Sequence, residues 1–343
     1  MDLADYMAEC LLHPAHGYYA TRDPFGAAGD FVTAPEISQM FGEMIGACLA
    51  AWWQSAGAPA PVRLVELGSG RGTLMADILR TAARVPGLAP EVHLVEASPT
   101  LRAAQARAVP GARHHDRLED VPPGATLLVA NEFVDALPIR AHLREGSNWR
   151  ARVVGQEGGA LRLGHGPAAP LPALGHRLED TADGDVVESR PAADAVMRAV
   201  EDRLTAAPGI ALVIDYGDWR SLGDTLQAVR GHAPEDPLAR PGEADLTAHV
   251  DFEALVAAAP GLAHTLLTPQ GVFLERLGIT ARARALAAGL RGAALDAHVA
   301  AHRRLVHPDE MGRLFKAIAF VSPGLPAPPG LHFPREGRHP AAP

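Results

Sequence analysis

Four stretches of the chain run almost unbroken in apolar residues and then end on or near a polar one: VRLVEL (62–67), EVHLVE (91–96), TLLVANE (126–132) and ALVIDYG (211–217). Their length and β-branched content mark them as strands buried on both faces. Between them the apolar spacing is helical, over residues 74–84, 99–108 and 192–204. Such alternation predicts a doubly wound, mostly parallel α/β sheet. Ligands of these sheets bind beyond the carboxyl ends of the strands. Glu66, Glu96, Asn131, Glu132 and Asp215 are therefore expected to share one rim.

The remaining pattern is less regular. Residues 2–13 form a helix ended by Pro14, HGYY (16–19) turns the chain, and helical spacing resumes over 37–51. Between them, 26–38 mixes glycine, acid and hydroxyl residues, a composition costly to order unless it serves a site. The plain structural reading of that loop makes Thr33 an N-cap and puts Pro35 in the first helical turn. Residues 149–154 and 160–164 read as the hairpin of an inserted β-flap. Residues 220–251 are polar, rich in Gly and Pro, and too long for an idle connection. A helix at 252–258, a short strand at 263–267, helices within 272–305 and a closing strand at 314–321 follow. The organisation expected is an N-terminal helical segment with a lid loop (1–60), a core domain (61–321) with insertions at 140–188 and 220–251, and a Pro/Gly-rich disordered tail (322–343).

Composition narrows the class. With 48% hydrophobic residues the chain reads as an ordinary globular protein, and a formal charge of −9 makes nucleic acid an unexpected partner. No apolar run approaches the roughly 18 residues of a membrane span, and MDLADY lacks the features of a secretory or transit leader. Membrane insertion is thus not expected, and a cytosolic location is. The two cysteines, Cys10 and Cys48, cannot build a disulfide framework, and the 16 histidines form no HExxH motif, so no metal is expected. The chain has 30 arginines and one lysine, Lys316, which reads as structural or interfacial rather than catalytic.

The chemistry begins at ELGSGRGT (66–73), where a strand meets a helix through Gly68, Gly70 and Gly72. Glycines at alternate positions permit positive φ and close approach of a ligand to backbone. A dinucleotide fingerprint, G-x-G-x-x-G, would need glycine at 73, where Thr stands. The spacing is instead that of the E/D-x-G-x-G-x-G loop of class I S-adenosyl-L-methionine-dependent methyltransferases. Glu66 gives a physical reason, because an acid beside the loop suits the ammonium of that cofactor and would repel a pyrophosphate. Glu96, at the end of the next strand, can accept both ribose hydroxyls, a role that by itself does not choose between cofactors. Candidate cofactor residues are Glu66, Gly68, Ser69, Gly70, Gly72, Glu96 and Asn131.

Seven segments carry a resemblance across nearly the whole chain: GDFVTAPEISQMFGE (29–43), ELGSGRGTLMADILR (66–80), ANEFVDALPI (130–139), GDTLQAVRGH (223–232), PGEADLTAHVDF (241–252), QGVFLERLGI (270–279) and MGRLFKAIAF (311–320). They resemble the MidA-like methyltransferases, relatives of the mitochondrial complex I assembly protein arginine methyltransferase. Ser69 stands where that family usually has Pro. The resemblance implies a class I, Rossmann-like methyltransferase fold whose last strand is antiparallel, with S-adenosyl-L-methionine as cofactor. It also implies a protein substrate, in the mitochondrial relative an arginine of a complex I subunit.

Methyl transfer from a sulfonium is an in-line displacement, so the enzyme must chiefly align the reactants and stabilise shifting charge. A guanidinium acceptor would be oriented by carboxylates and carbonyl oxygens. The candidates are Asn131, Glu132 and Asp135 at the end of the fourth core strand, with Asp30 and Glu36 reaching over from the lid loop. Helix capping and a surface acid are the alternative roles for Asn131 and Glu132, and capping and turn formation for Asp30 and Glu36. A methyltransferase for a small-molecule acceptor, or a catalytically weak assembly or binding factor, is the competing function. The intact Glu66–glycine–Glu96 set argues against the last, and oligomeric state is left open.

Overall fold

The structure is a computed structural model that describes residues 1–21 and 32–335. Its core strands are β1 (Val62–Leu67), β2 (Glu91–Val95), β3 (Arg113–His115) and β4 (Ala125–Asn131). After β4 come β5 (Arg140–Glu145), β6 (Asn148–Glu157), β7 (Ala160–Ala169) and β8 (Val186–Ser189), then the long β9 (Gly209–Asp218). Three short strands follow, β10 (Gln227–Arg230), β11 (Ala233–Glu235) and β12 (Asp245–Thr247). The last four are β13 (Val250–Asp251), β14 (Ala263–His264), β15 (Thr268–Pro269) and β16 (Phe315–Val321). The central sheet runs β14-β16-β9-β4-β1-β2-β3, with β13 beside β9 and β15 beside β16. From β3 to β9 its neighbours are parallel, whereas β16 lies antiparallel on β9. The expected doubly wound sheet with an antiparallel last strand is therefore present. Strand order reverses between β1 and β4, so the rim there is the place for a ligand.

Two-residue periodicity explains the layering. Leu64, Leu127, Val129, Leu212 and Ala319 face one core; Val65, Leu128, Ala130, Val213 and Phe320 face the other. Named in chain order, the helices that matter here are α1 (Leu3–Leu12), α2 (Tyr18–Thr21), α3 (Ala34–Ile37), α4 (Gln39–Ser55), α5 (Thr73–Ala82), α6 (Pro99–Ala108), α7 (Pro191–Ala206), α8 (Phe252–Ala258) and α9 (Gln270–Leu277). The first core is covered by α4, α5 and α9, the second by α7 and α8. A third cluster joins α1 to the sheet β11-β10-β12. Asp2 caps α1 by accepting from Ala4 N at 2.8 Å.

Several expectations need correction. The flap is a four-stranded antiparallel sheet, β7-β6-β5-β8, larger than one hairpin. The segment 16–19 does not merely turn but starts the short α2. The helix expected over 37–51 is broken at Ser38, whose Oγ caps α4 by accepting from Met40 N at 3.2 Å. Residues 322–335 are not a disordered tail. Trp52 Nε1 donates to Pro326 O at 2.8 Å, Leu266 N donates to His332 O at 2.8 Å, and Leu331 is 1% exposed within the first core. The reason is coverage: α4 and α9 present Trp52 and Phe273 outward, and a Pro/Gly-rich segment can follow that face closely without regular structure. A Cβ on Gly330 would lie 2.9 Å from Phe273 Cδ2. Among the described residues no helix is long and apolar enough to cross a membrane.

Burial of Leu331 sets a test of the tail. Leu331→Ala should lower the unfolding free energy by about 2–4 kcal/mol in urea titrations. A change below about 0.5 kcal/mol, the range of exposed substitutions, would remove residues 322–335 from the core.

Candidate active site

At the end of β1 the chain reverses into α5 through Gly68, Gly70 and Gly72, with φ of +65°, +50° and +84°. All three conformations are strained for side chains with a Cβ. At Gly68 a Cβ would also lie 2.7 Å from Phe133 Cδ2. Glu66, 3% exposed, stands just before the loop, and its Oε2 has no hydrogen-bond partner among the described residues. Burial, and then the charge of Glu96, push its pKa well above the ordinary carboxyl range. Ser69 is buried, its Oγ 3.5 Å from Glu66 O.

Glu96 follows β2. Its Oε1 accepts from Ser98 N at 2.9 Å and its Oε2 from Gln105 Nε2 at 3.2 Å, while burial raises its pKa. Gln105 Nε2 also donates to Gly70 O at 2.8 Å, so α6 ties the two cofactor-side elements together. Sequence reasoning missed Gln105. The available signal was a polar residue four positions after Leu101, on the buried stripe of α6. It also missed β3, whose residues RHH carry no apolar pattern, and with it Asp116, Arg117 and Leu118, which line the same cleft. Arg102 fixes that end by donating to Glu96 O at 2.7 Å, His115 O at 3.0 Å and Asp116 Oδ1 at 2.5 Å.

The rim beyond β4 holds Asn131, Glu132 and Asp135. Glu132 has φ +51° and is buried enough that its pKa rises to about 7. Its Oε1 accepts from Ala34 N at 2.9 Å and Asn131 Nδ2 at 3.1 Å. The first amide of α3 is thus capped by Glu132, and Thr33, at the N-cap position, makes no side-chain capping bond. Glu36 points the other way: its Oε1 accepts from Thr73 Oγ1 at 2.5 Å, and Arg71 Nη1 is 4.0 Å from its Oε2. The described part of the 26–38 loop, from Val32 on, is consequently stapled to both the glycine loop and the β4 rim. Asp30 lies outside the described residues.

Asp135, 6% exposed, has an Oδ1 with no partner among the described residues. Burial raises its pKa, against the pull of the Arg190 guanidinium. Asp215 sits beneath the rim, fully buried, instead of lining it. Its Oδ2 accepts from Val134 N (2.9 Å) and Asp135 N (3.1 Å), and its Oδ1 from Tyr216 N (2.9 Å). Burial and the Asp135 charge push its pKa up. Lys316 donates to Gly217 O, Arg313 O and Leu314 O at 2.8–3.2 Å, a structural use of the one lysine. Glu9, His13 and His16 bring possible ligand atoms within 4.8 Å of one another. The two imidazoles lie stacked with centroids 3.6 Å apart, an arrangement in which their lone pairs do not converge.

These residues surround two spaces that share Gly68, Gly70 and Glu132 in their linings. A cleft of about 680 Å³ runs from Glu96 and Asp116–Leu118, past Gly68 and Gly70, to Glu132, Asp135 and Tyr216. A recess of about 40 Å³ opens among Glu36, Glu66, Ser69, Thr73 and Asn131. Glu66 Oε2 and Asn131 Oδ1, both buried acceptors without partners among the described residues, line that recess. An ammonium group answers that demand. Glu96 near the cleft's other end answers ribose hydroxyls. The donor set therefore fits S-adenosyl-L-methionine.

A doubly wound sheet with an antiparallel last strand, a G-x-G-x-G loop and acids near the end of β1 and just after β2 define a class I S-adenosylmethionine-dependent methyltransferase. The chain belongs to the family whose model, described as S-adenosyl-L-methionine-dependent methyltransferase, matches residues 44–269, and the MidA-like resemblance is borne out. It is 34% identical to the Drosophila melanogaster protein arginine methyltransferase NDUFAF7 homolog, mitochondrial, over 94% of this chain and 82% of that protein. Against human protein arginine methyltransferase NDUFAF7, mitochondrial, identity is 34% over 93% of this chain and 79% of the relative. A Burkholderia thailandensis protein solved with S-adenosyl-homocysteine bound superposes with a TM-score of 0.80 at 30% identity, covering 96% of this chain and 89% of that one.

Because Gly70 holds φ +50°, a β-branched residue there would both strain the loop and crowd the cleft. Gly70→Val should bind no S-adenosyl-L-methionine detectable by calorimetry while keeping a cooperative melt. Normal binding by this variant would refute the placement of the loop against the cofactor.

Proposed function

We propose that this methyltransferase acts on the guanidinium of a protein arginine, on a respiratory complex I subunit or a related protein. The observation that carries the reading is the acidity of the rim beside the glycine loop. Glu132, Asp135 and Asp245 line the cleft there, and the arginine that also lines it, Arg117, follows β3 near the Glu96 end, 3.0 Å from Glu119. The relatives named protein arginine methyltransferases support it, and the complex I link comes from the family resemblance. A cytosolic location, expected from the lack of leader features in MDLADY, gains no support from relatives named mitochondrial.

In this reading Glu66, Asn131 and the Gly68–Ser69–Gly70 backbone hold the amino-acid end of the cofactor, Gly72 gives α5 its start, and Glu96 holds the ribose. Bound S-adenosyl-L-methionine supplies an electrophilic methyl on a sulfonium. Asp135 and Glu132 accept N–H bonds from the guanidinium and fix its plane, leaving one nitrogen directed at the donor. Phe133, Tyr216 and Phe315, which line the same cleft, exclude water. A carboxylate oxygen of Glu132 is suited to take the proton that the acceptor nitrogen loses, because burial has brought its pKa to about 7. Glu36 has its carboxylate engaged by Thr73 and Arg71, so its part is to hold the lid segment. Asp30 remains a candidate of the same lid.

Proteome-wide mass spectrometry of cells with and without the gene tests the reading. Loss of a dimethylarginine supports it; unchanged protein methylation with a changed small-molecule profile would replace it with a small-molecule acceptor. Glu132→Gln retains an acceptor for Ala34 N but loses the charge. It should leave cofactor affinity within about twofold and reduce turnover about 10²- to 10⁴-fold, the usual contribution of a positioned acid–base group. Equal losses in both would move Glu132 out of the acceptor site.

The pKa of Glu132 also fixes a pH dependence. The folded protein keeps this proton to about pH 7, whereas an ordinary glutamate releases it near 4.5. Turnover should rise with pH through an apparent pKa near 7, and the stability linked to this group should fall over the same 4.5–7 window. A flat rate profile from pH 5.5 to 8 would contradict this assignment.

A further inference from the structure

Each methylation of an N–H acceptor leaves one proton to be disposed of. The N–CH3 bond forms as the S–CH3 bond breaks, the electron pair of the latter passes to sulfur, and the acceptor's proton goes to the Glu132 carboxylate. Before the next turnover that carboxylate must lose it again. Glu132 lines the cleft that cofactor and acceptor fill, and the burial that brings its pKa to about 7 keeps bulk base from it while they are bound. A second group that accepts and releases a proton near neutral pH is therefore needed at the same end of the cleft.

Among the described residues that line the cleft, His249 is the one imidazole. It stands between β12 and β13 with its backbone pinned on both sides. Its N donates to Thr225 Oγ1 at 2.8 Å, and its O accepts from Arg190 Nη1 at 3.3 Å. The ring meets that of Tyr216 edge-on, with centroids 5.3 Å apart and planes at 90°. The Tyr216 hydroxyl accepts from Gln227 Nε2 at 3.0 Å and bonds Asp135, so one aromatic ring separates the imidazole from the acceptor rim. The His249 ring nitrogens make no hydrogen bond among the described residues, and the side chain is half-buried where Asp135 and Tyr216 are buried. Burial first, then Lys316 of β16 and Arg190 before α7, push its pKa below the usual imidazole range; Asp218 of β9 acts the other way. The resting ring is neutral. The hydroxyls of Tyr19 and Tyr216 cannot serve instead, because burial holds both well above their ordinary range.

We infer that His249 carries the proton released by methyl transfer from the acceptor rim to solvent. The inference rests on the reading of Glu132 as the group that first takes that proton from a protein arginine. His249 accepts a proton on its unprotonated ring nitrogen and gives one up to bulk buffer. The imidazole ends each turnover neutral, and no charge accumulates beside Asp135. The polar segment 220–251 thereby gains a part in the reaction, because Thr225 near its start fixes His249 near its end.

The test uses the full chain, labelled S-adenosyl-L-methionine and protein extract from cells lacking the gene, with methylarginine counted after hydrolysis. Initial rates are read near neutral pH in dilute buffer. His249→Ala should slow labelling about 10²-fold, the lower end of what a proton-transferring side chain contributes. Calorimetric affinity for the cofactor should stay within twofold. Added imidazole should restore most of the lost rate to His249→Ala and leave wild type unchanged. Pyrazole, of the same shape but too weak a base to carry the proton, should restore none. His249→Gln fills the space without a transferable proton and should be as slow as His249→Ala. A wild-type rate in either variant overturns the inference alone. So does a slow His249→Ala that imidazole fails to speed, or that pyrazole speeds equally, since the ring would then act only by packing. Wild-type enzyme that labels no arginine overturns the arginine reading and the inference with it.

Discussion

A carboxylate without solvent access holds the rim beyond β4 in place. Asp215, within β9, takes three backbone N–H groups, two of them from the turn that follows the neighbouring strand β4. That turn carries Glu132 at φ +51°, a conformation that costs a non-glycine residue of order 1 kcal/mol and persists only where its surroundings impose it. Glu132 N adds its own bond to Ile214 O at 2.9 Å. With the turn fixed, Glu132 and Asp135 cannot swing back into the sheet, and everything that approaches the rim meets them in one geometry. Arg190, 8% exposed, completes the support by joining the backbone at Asp135, Leu137 and residues 248–249.

Around this fixed turn the proposed reading places two electrostatic tasks, one for the cofactor and one for the acceptor. On the cofactor side, Glu66 Oε2 and Asn131 Oδ1, acceptors without partners among the described residues, sit by a small recess suited to a single ammonium. On the acceptor side, several carboxylates share a larger cleft with Tyr19, Tyr216 and Phe315, where burial strengthens each charged interaction. The short helix α3 bridges the two, capped by Glu132 at its first amide and tied through Glu36 to Thr73.

The sheet was legible from residue pattern because its strands are buried on both faces, which leaves an unmistakable apolar run. Strand β3 escaped notice for the opposite reason: at the edge of the sheet, RHH has only one neighbour strand and needs no apolar residue. Glu66, the glycines and Glu96 were readable because their spacing is set by backbone geometry. Asp215 was visible as a polar residue at a strand end, but whether such a residue faces the ligand or the protein depends on which amides surround it, and no spacing encodes that. The partnership of Tyr19 with Asp245 links residues 226 positions apart and comes from packing α1 and α2 on the sheet β11-β10-β12. Proline and glycine in 322–335 suggested disorder, although what they specify is an irregular backbone fitted to Trp52 and Phe273.

The proposed division of the rim into a cofactor recess and an acidic acceptor end is read directly by a crystal structure with S-adenosyl-homocysteine. The ligand's ammonium should lie on Glu66 and Asn131, its ribose hydroxyls on Glu96, and its sulfur should face the space between Glu132 and Asp135. A bound ligand whose sulfur points away from that space, or whose ribose leaves Glu96 without a partner, would contradict it.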